Sequence, residues 1–154
     1  MIVNCHETIS AYIHPFVREK RRDGPEIAPG IVASYGASET GYDIRLGEET
    51  IIVPNRGVIT VSLETITMPN YLSARLLGKS TLARLGIHLN VTEIDPGFFG
   101  RITLEISYLP VIDAPLIERL PAGCGVGVLQ FHELKVPAEY SGKYQGDLNA
   151  EHAR

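Results

Sequence analysis

Apolar residues in this chain come in runs of only a few, each stopped by glycine or proline. That spacing restricts the possible folds more than any other feature. The 15 glycines and 10 prolines are spread through the whole of its 154 residues. A helical bundle needs longer periodic stretches, whereas many short strands joined by defined turns fit the pattern. Residues 41–47 alternate, with Tyr42, Ile44 and Leu46 sharing one face and Asp43 and Arg45 the other. Residues 101–105 do the same: Ile102 and Leu104 share a face, and Arg101, Thr103 and Glu105 take the opposite one. Further strands are expected at 51–53, 58–66, 72–77, 106–109, 116–120 and 126–131, and a helical turn after Gly78. Asn4 and Glu7 stand in capping-box positions for a short N-terminal helix, with Ile9 and Ile13 on one face and Pro15 as its stop. Sheet edges in such a chain need hiding, and closure into a barrel or jelly-roll would hide them. One domain is expected over 1–154, with 137–154 as a polar, aromatic, glycine-rich tail that either frays or closes over something.

Charge narrows the function. A net charge of −4 argues against a general nucleic-acid binder, although local donors can still hold a small anion. The basic cluster Lys20-Arg21-Arg22 reads first as a solvated face. Two cysteines, Cys5 and Cys124, lie far apart outside any CxxC, which favours a reducing, cytoplasmic setting, though they could pair. Neither a membrane-spanning run nor a signal peptide is legible.

The stretch 78–105 concentrates the chemistry. Gly78-Lys79-Ser80 suggests a phosphate loop, but the pattern needs glycine at position 73, where this chain has Ser73. Zinc-deaminase ligands are missing, because His132 and Glu133 are adjacent and Cys124 stands alone, so no zinc is expected. Lys79, Ser80, Thr81 and Arg84 are nonetheless donors suited to phosphate oxygens. Glu105 could serve as a general base, or pair structurally with Arg84. Asp95, ahead of Pro96-Gly97, could take a hydrogen bond from a sugar hydroxyl or merely cap its own turn.

Three segments, GKSTLARLGI at 78–87, IDPGFFGRITLE at 94–105 and GYDIRLG at 41–47, resemble the dCTP deaminase family, which shares its fold with trimeric dUTP diphosphatases. The PAG turn before VGVLQF and the GKYQG tail extend the likeness over nearly the whole chain. The resemblance implies a mostly β fold, a distorted jelly-roll β-barrel of the dUTPase-like type with a short N-terminal helix. It also implies a homotrimer with active sites between subunits. Glu105 would be the general base, taking a proton from water for attack at C4 of cytosine, with no metal in that step. Ser80 and Arg84 would hold the base, the water and the glutamate. Lys79 and Thr81 would contact phosphates, and Asp95 the 3′-hydroxyl. Glu93, Ile94, Phe98 and, from the tail, Lys143, Tyr144 and Gln145 would complete the substrate contacts, with Mg²⁺ riding on the triphosphate.

The chain departs from the family pattern in four places. Two residues are missing before Asp95, and Glu93 stands near where the family has a small alanine. Lys79 replaces an arginine and loses its bidentate fork. Asp147 falls where a phosphate-contacting glutamine is common. The expectation is hydrolytic deamination of dCTP or a modified deoxycytidine nucleotide. The alternatives are dUTP diphosphatase activity, alone or coupled, and a non-catalytic nucleotide-binding regulator.

Overall fold

The computed structural model describes residues 2, 3, 6–150 and 153. Its strands are β1 (Ile2–Val3), β2 (Ile13–His14), β3 (Gly36–Ala37), β4 (Tyr42–Arg45), β5 (Thr50–Ile51), β6 (Arg56–Thr67) and β7 (Leu72–Leu77). They continue with β8 (Ile87–Leu89), β9 (Thr92–Ile94), β10 (Phe99–Tyr108), β11 (Arg119–Leu120) and β12 (Gly125–Glu133). Two short helices, α1 (His6–Ile9) and α2 (Ser80–Ala83), complete the element set. The mostly β expectation therefore holds.

The barrel does not. Among the described residues the strands form three separate open sheets. A six-stranded sheet runs β3-β4-β12-β7-β9 with β1 also on β12, a four-stranded sheet runs β2-β6-β10-β8, and β11 pairs with β5. The physical reason lies at the edges. The outer strands β2 and β3 have 2 residues each, and β8 and β9 have 3 each, too few to carry a ladder round to closure. Very short edge strands also protect a sheet from unwanted pairing without closing it. Where the two large sheets approach, an isolated Leu46–Ser62 bridge and the Gly47 N–H on the Val61 carbonyl, at 2.8 Å, link them.

The longest strands carry the core. In β10 the alternation read from the sequence is realised: Ile102, Leu104, Ile106 and Tyr108 are buried, while Glu105 and Ser107 face out. Each fully buried aliphatic side chain contributes roughly 1.5–3 kcal/mol by leaving water. The β-branched run of β6 pairs with β10 along its length, with a register break between Arg101 and Thr103. There Arg101 faces Thr65 and Thr103 faces Val61, so residues 62–64 of β6 bulge opposite Ile102. The bulge is filled by polar groups. The Ser62 hydroxyl donates to the Glu64 carbonyl at 2.8 Å and accepts from the Ile102 N–H at 2.9 Å. The fully buried Glu64 carboxylate takes both the Arg45 N–H, at 2.9 Å, and the Arg45 Nε, at 2.8 Å.

Two local expectations change. Ile9 and Ile13 are both buried, but α1 stops at Ile9, and Ile13 enters the core from β2 opposite Ile66. The supposed cap Asn4 and the cysteine Cys5 lie outside the described residues, as does the side chain of Glu7. Between 116 and 120 only Arg119–Leu120 is strand, and Leu116 points outward.

Burial pushes the Tyr42 phenol and the Cys124 thiol each up to about 12, with the Glu64 carboxylate adding to the tyrosine shift. Both groups are fully inaccessible. Raised folded values mean that the unfolded chain loses these protons first, so stability is full below the ordinary values and falls as pH rises toward 12. Urea unfolding is expected to show stability dropping between about pH 9 and 12. Tyr42→Phe should remove the tyrosine's share, about 2–3 kcal/mol, from the pH 10–12 part of that slope.

Candidate active site

A pocket of about 440 Å³ opens between β9, the β9–β10 turn, the start of β10 and the C-terminal tail. The turn follows from its residues. Pro96 presets one corner and Gly97 takes φ +80° at the next, with the Phe98 N–H closing on the Asp95 main-chain carbonyl at 3.2 Å. The Asp95 carboxylate is thus not needed for the turn, and it lines the pocket. β9 brings Glu93 and Ile94, the turn brings Asp95 and Phe98, β10 brings Glu105, and the tail brings Tyr144. Those six residues were all legible as candidates.

Glu105 is exposed and accepts a hydrogen bond from Asn90 Nδ2 at 3.1 Å. Among the described residues no ion pair joins it to Arg84. It also borders a second, more open depression of about 770 Å³ that includes Val58, His88, Leu89 and Asn90. Glu93 pairs across the strands with Arg75, 2.7 Å away, which compensates the added carboxylate on the pocket wall. Sequence reading missed Arg75, because a cross-strand partner needs the register to be known. Asp147 also lines the pocket, as do Arg101 and Tyr140, whose ring meets Phe98 edge-on at 5.9 Å.

The donor segment lies elsewhere. Ser80 and Arg84 are exposed, Thr81 is half-buried, and none of them lines either cavity. Lys79 is turned inward. Its Nζ sits 2.6 Å from the buried Asp43 carboxylate and 3.1 Å from the Ser34 hydroxyl, with Lys20 at 3.7 Å from the same carboxylate. In the tail, Lys143 lies over the Tyr144 ring at 5.3 Å. Gln145 accepts from the Phe99 N–H at 2.9 Å and donates to the Gly97 carbonyl at 2.8 Å. No group of three or more metal-ligating side chains occurs among the described residues.

A family model described as dCTP deaminase-like matches residues 35–133. A dCTP deaminase of Campylobacter curvus is 34% identical over 169 aligned residues, covering 88% of this chain and 85% of that one. The chain belongs to the dCTP deaminase-like family. A second member, the dUMP-forming dCTP deaminase of Clavibacter michiganensis, is 40% identical over 109 residues, or 65% of this chain and 52% of that protein. The fold is similar to that of a dUTPase from phage phi11 of S. aureus, with a TM-score of 0.54 at 14% identity over 69% of this chain and 84% of that one. The span matched to the dCTP deaminase-like model takes in α2, the Asp95 turn and Glu105, while the tail lies beyond it.

Two of the protein's ion pairs, Lys79–Asp43 and Arg75–Glu93, should separate on truncation. Truncating Lys79 leaves the buried Asp43 carboxylate with the Ser34 hydroxyl and the more distant, part-exposed Lys20, so Lys79→Met is expected to cost about 2–3 kcal/mol in urea unfolding. Arg75→Ala removes a half-exposed pair and should cost less than about 1 kcal/mol.

Proposed function

We propose that this enzyme hydrolytically deaminates a deoxycytidine nucleotide, with dCTP as the substrate, giving the deoxyuridine nucleotide and ammonia. The observation that carries the reading is the placement of Glu105. The central strand β10 presents it at the rim of the pocket, oriented by Asn90, facing a cavity shared with Asp95 and the tail. A carboxylate so held can take a proton from water as the water oxygen bonds to C4 of cytosine. Returning protons to the ring nitrogen and to the amino group lets the C4–N bond break and ammonia leave, so the oxygen stays as the new carbonyl. Phe98 and Ile94 give the base and sugar an apolar wall, and Asp95 accepts from the 3′-hydroxyl.

The triphosphate needs cations, and the pocket of one protomer is rich in carboxylates: Glu93, Asp95, Glu105 and Asp147. Mg²⁺ enters as part of the substrate and offsets some of that charge. Ser80 and Thr81 of α2, and Arg84 just after it, do not line this pocket, and we assign them to the site of a neighbouring copy in a homotrimer. Lys79, committed to Asp43, fixes the start of α2 in that arrangement. Tyr144 and Lys143 come with the tail when it covers the nucleotide. No helix among the described residues is long and apolar enough to cross a membrane, and we place the enzyme in the cytoplasm.

A second reading couples deamination to loss of pyrophosphate, and the likeness to the dUMP-forming relative favours it. Product analysis separates the two. Incubation with dCTP, 5-substituted dCTPs and dUTP, with and without Mg²⁺, should release ammonia from a cytosine nucleotide. Glu105→Gln should slow that release by about 10²–10⁴-fold. Pyrophosphate appearing with the ammonia would establish coupling; pyrophosphate from dUTP with no ammonia from any cytosine nucleotide would overturn the deaminase.

A further inference from the structure

Arg101 stands at the start of β10 on the pocket face, and its side chain bonds both to β6 and to the C-terminal tail. Its Nε donates to the Ser62 carbonyl at 2.7 Å, inside the β6 bulge that the Ser62 hydroxyl and Glu64 hold rigid. Its Nη1 donates to the Leu148 carbonyl at 3.3 Å, and its own N–H to the Asp147 carbonyl at 2.8 Å. One residue upstream, Gly100 adopts φ +151°, and a Cβ built there would stand 2.5 Å from the Asp147 carbonyl oxygen. Only glycine allows the tail to lie this close. The Gly146 N–H adds a bond to the Phe99 carbonyl at 2.7 Å. The tail is therefore fastened to β10 by main-chain bonds, the Gln145 amide and the Arg101 guanidinium, without a strand ladder of its own.

We infer that Arg101 is a positioning residue that latches the tail across the pocket, using the Ser62 carbonyl as its fixed point and the Leu148 carbonyl as its catch. The planar fork of arginine can reach two carbonyls at once, which a single lysine ammonium does far less well. The latch holds Tyr140 and Tyr144 in place as pocket wall, and it acts on the closed population of the tail rather than on the reacting atoms. This inference rests on the deaminase reading only for its kinetic consequence. When the binding-competent state is populated a fraction of the time, apparent affinity falls by that fraction.

The test uses the full-length protein with Arg101→Met and Arg101→Lys, and Glu105→Gln as a chemistry control. Lys143 supplies a trypsin site within the tail, so its cleavage rate reports opening without any substrate. Both Arg101 variants are expected to be cut at Lys143 about tenfold faster than wild type, and to raise KM for dCTP by about tenfold with kcat within about twofold. Glu105→Gln should keep the wild-type cleavage rate. Wild-type cleavage in both Arg101 variants would overturn the latch whatever the substrate. Faster cleavage with KM unchanged, or a lowered kcat at unchanged KM, would overturn the positioning role. Absence of turnover in the wild type would instead remove the deaminase reading, and the cleavage rates would still decide the latch. If Arg101→Met does not fold, Arg101→Lys, which keeps the charge and most of the stem, carries the same comparison.

Discussion

Glu64 lies in the interior with both carboxylate oxygens held by Arg45, through its main-chain N–H and its Nε. Desolvation pushes the Glu64 carboxyl upward, and the hydrogen bonds from Arg45 oppose that shift. A buried carboxylate costs several kcal/mol unless its partners are well placed, so the position of β6 relative to β4 has little freedom. The bulge at residues 62–64 is the backbone's answer to that constraint. It brings the Ser62 hydroxyl and carbonyl to where Ile102 and Arg101 can use them. The β10 residues that reach the pocket thus inherit their placement from an ion pair buried behind them. Arg45 completes the arrangement by placing its guanidinium 5.0 Å from the Tyr35 ring, while its buried Nη2 has no hydrogen-bond partner among the described residues.

Charge is segregated around this frame. Carboxylates collect on the pocket wall, where Glu93 is offset by Arg75 and Glu105 is oriented by an amide rather than a cation. Lys79 is consumed below α2 by Asp43, leaving the outward face of that helix to Ser80 and Arg84.

The alternation of Ile102, Leu104 and Ile106 made β10 legible, because a half-exposed strand writes its period directly into the chain. The Asp-Pro-Gly turn and the helical turn after Gly78 were equally plain. Strands β8 and β9 were not, since three residues each are too few to show a period. Ile9 and Ile13 have helical spacing, yet one sits in a helix and the other in a strand, because burial alone satisfies both. The barrel expectation failed for a related reason: local pattern says which face of a strand is covered, whereas closure depends on edge length and pairing. In the site, Glu93, Asp95 and Glu105 could be named from their motifs. Arg75 and Asn90, together with the engagement of Lys79 by Asp43, arise from contacts 15 to 36 residues apart in sequence and needed the register.

The Phe99–Arg101 segment and the tail meet through bonds that leave the sheets' own ladders untouched when they part. None of the tail residues 137–148 belongs to the buried core, so detaching them exposes little apolar surface. Opening there is a local event of low free energy, independent of global unfolding. The molecule accordingly has two clocks. A slow one is set by the Glu64–Arg45 interior, and a fast one by main-chain bonds and the Arg101 and Gln145 side chains at its C-terminal rim. With the tail covering a nucleotide as proposed above, the second clock would set ligand residence time, and mutations in the tail would change it without altering how firmly the protein is folded.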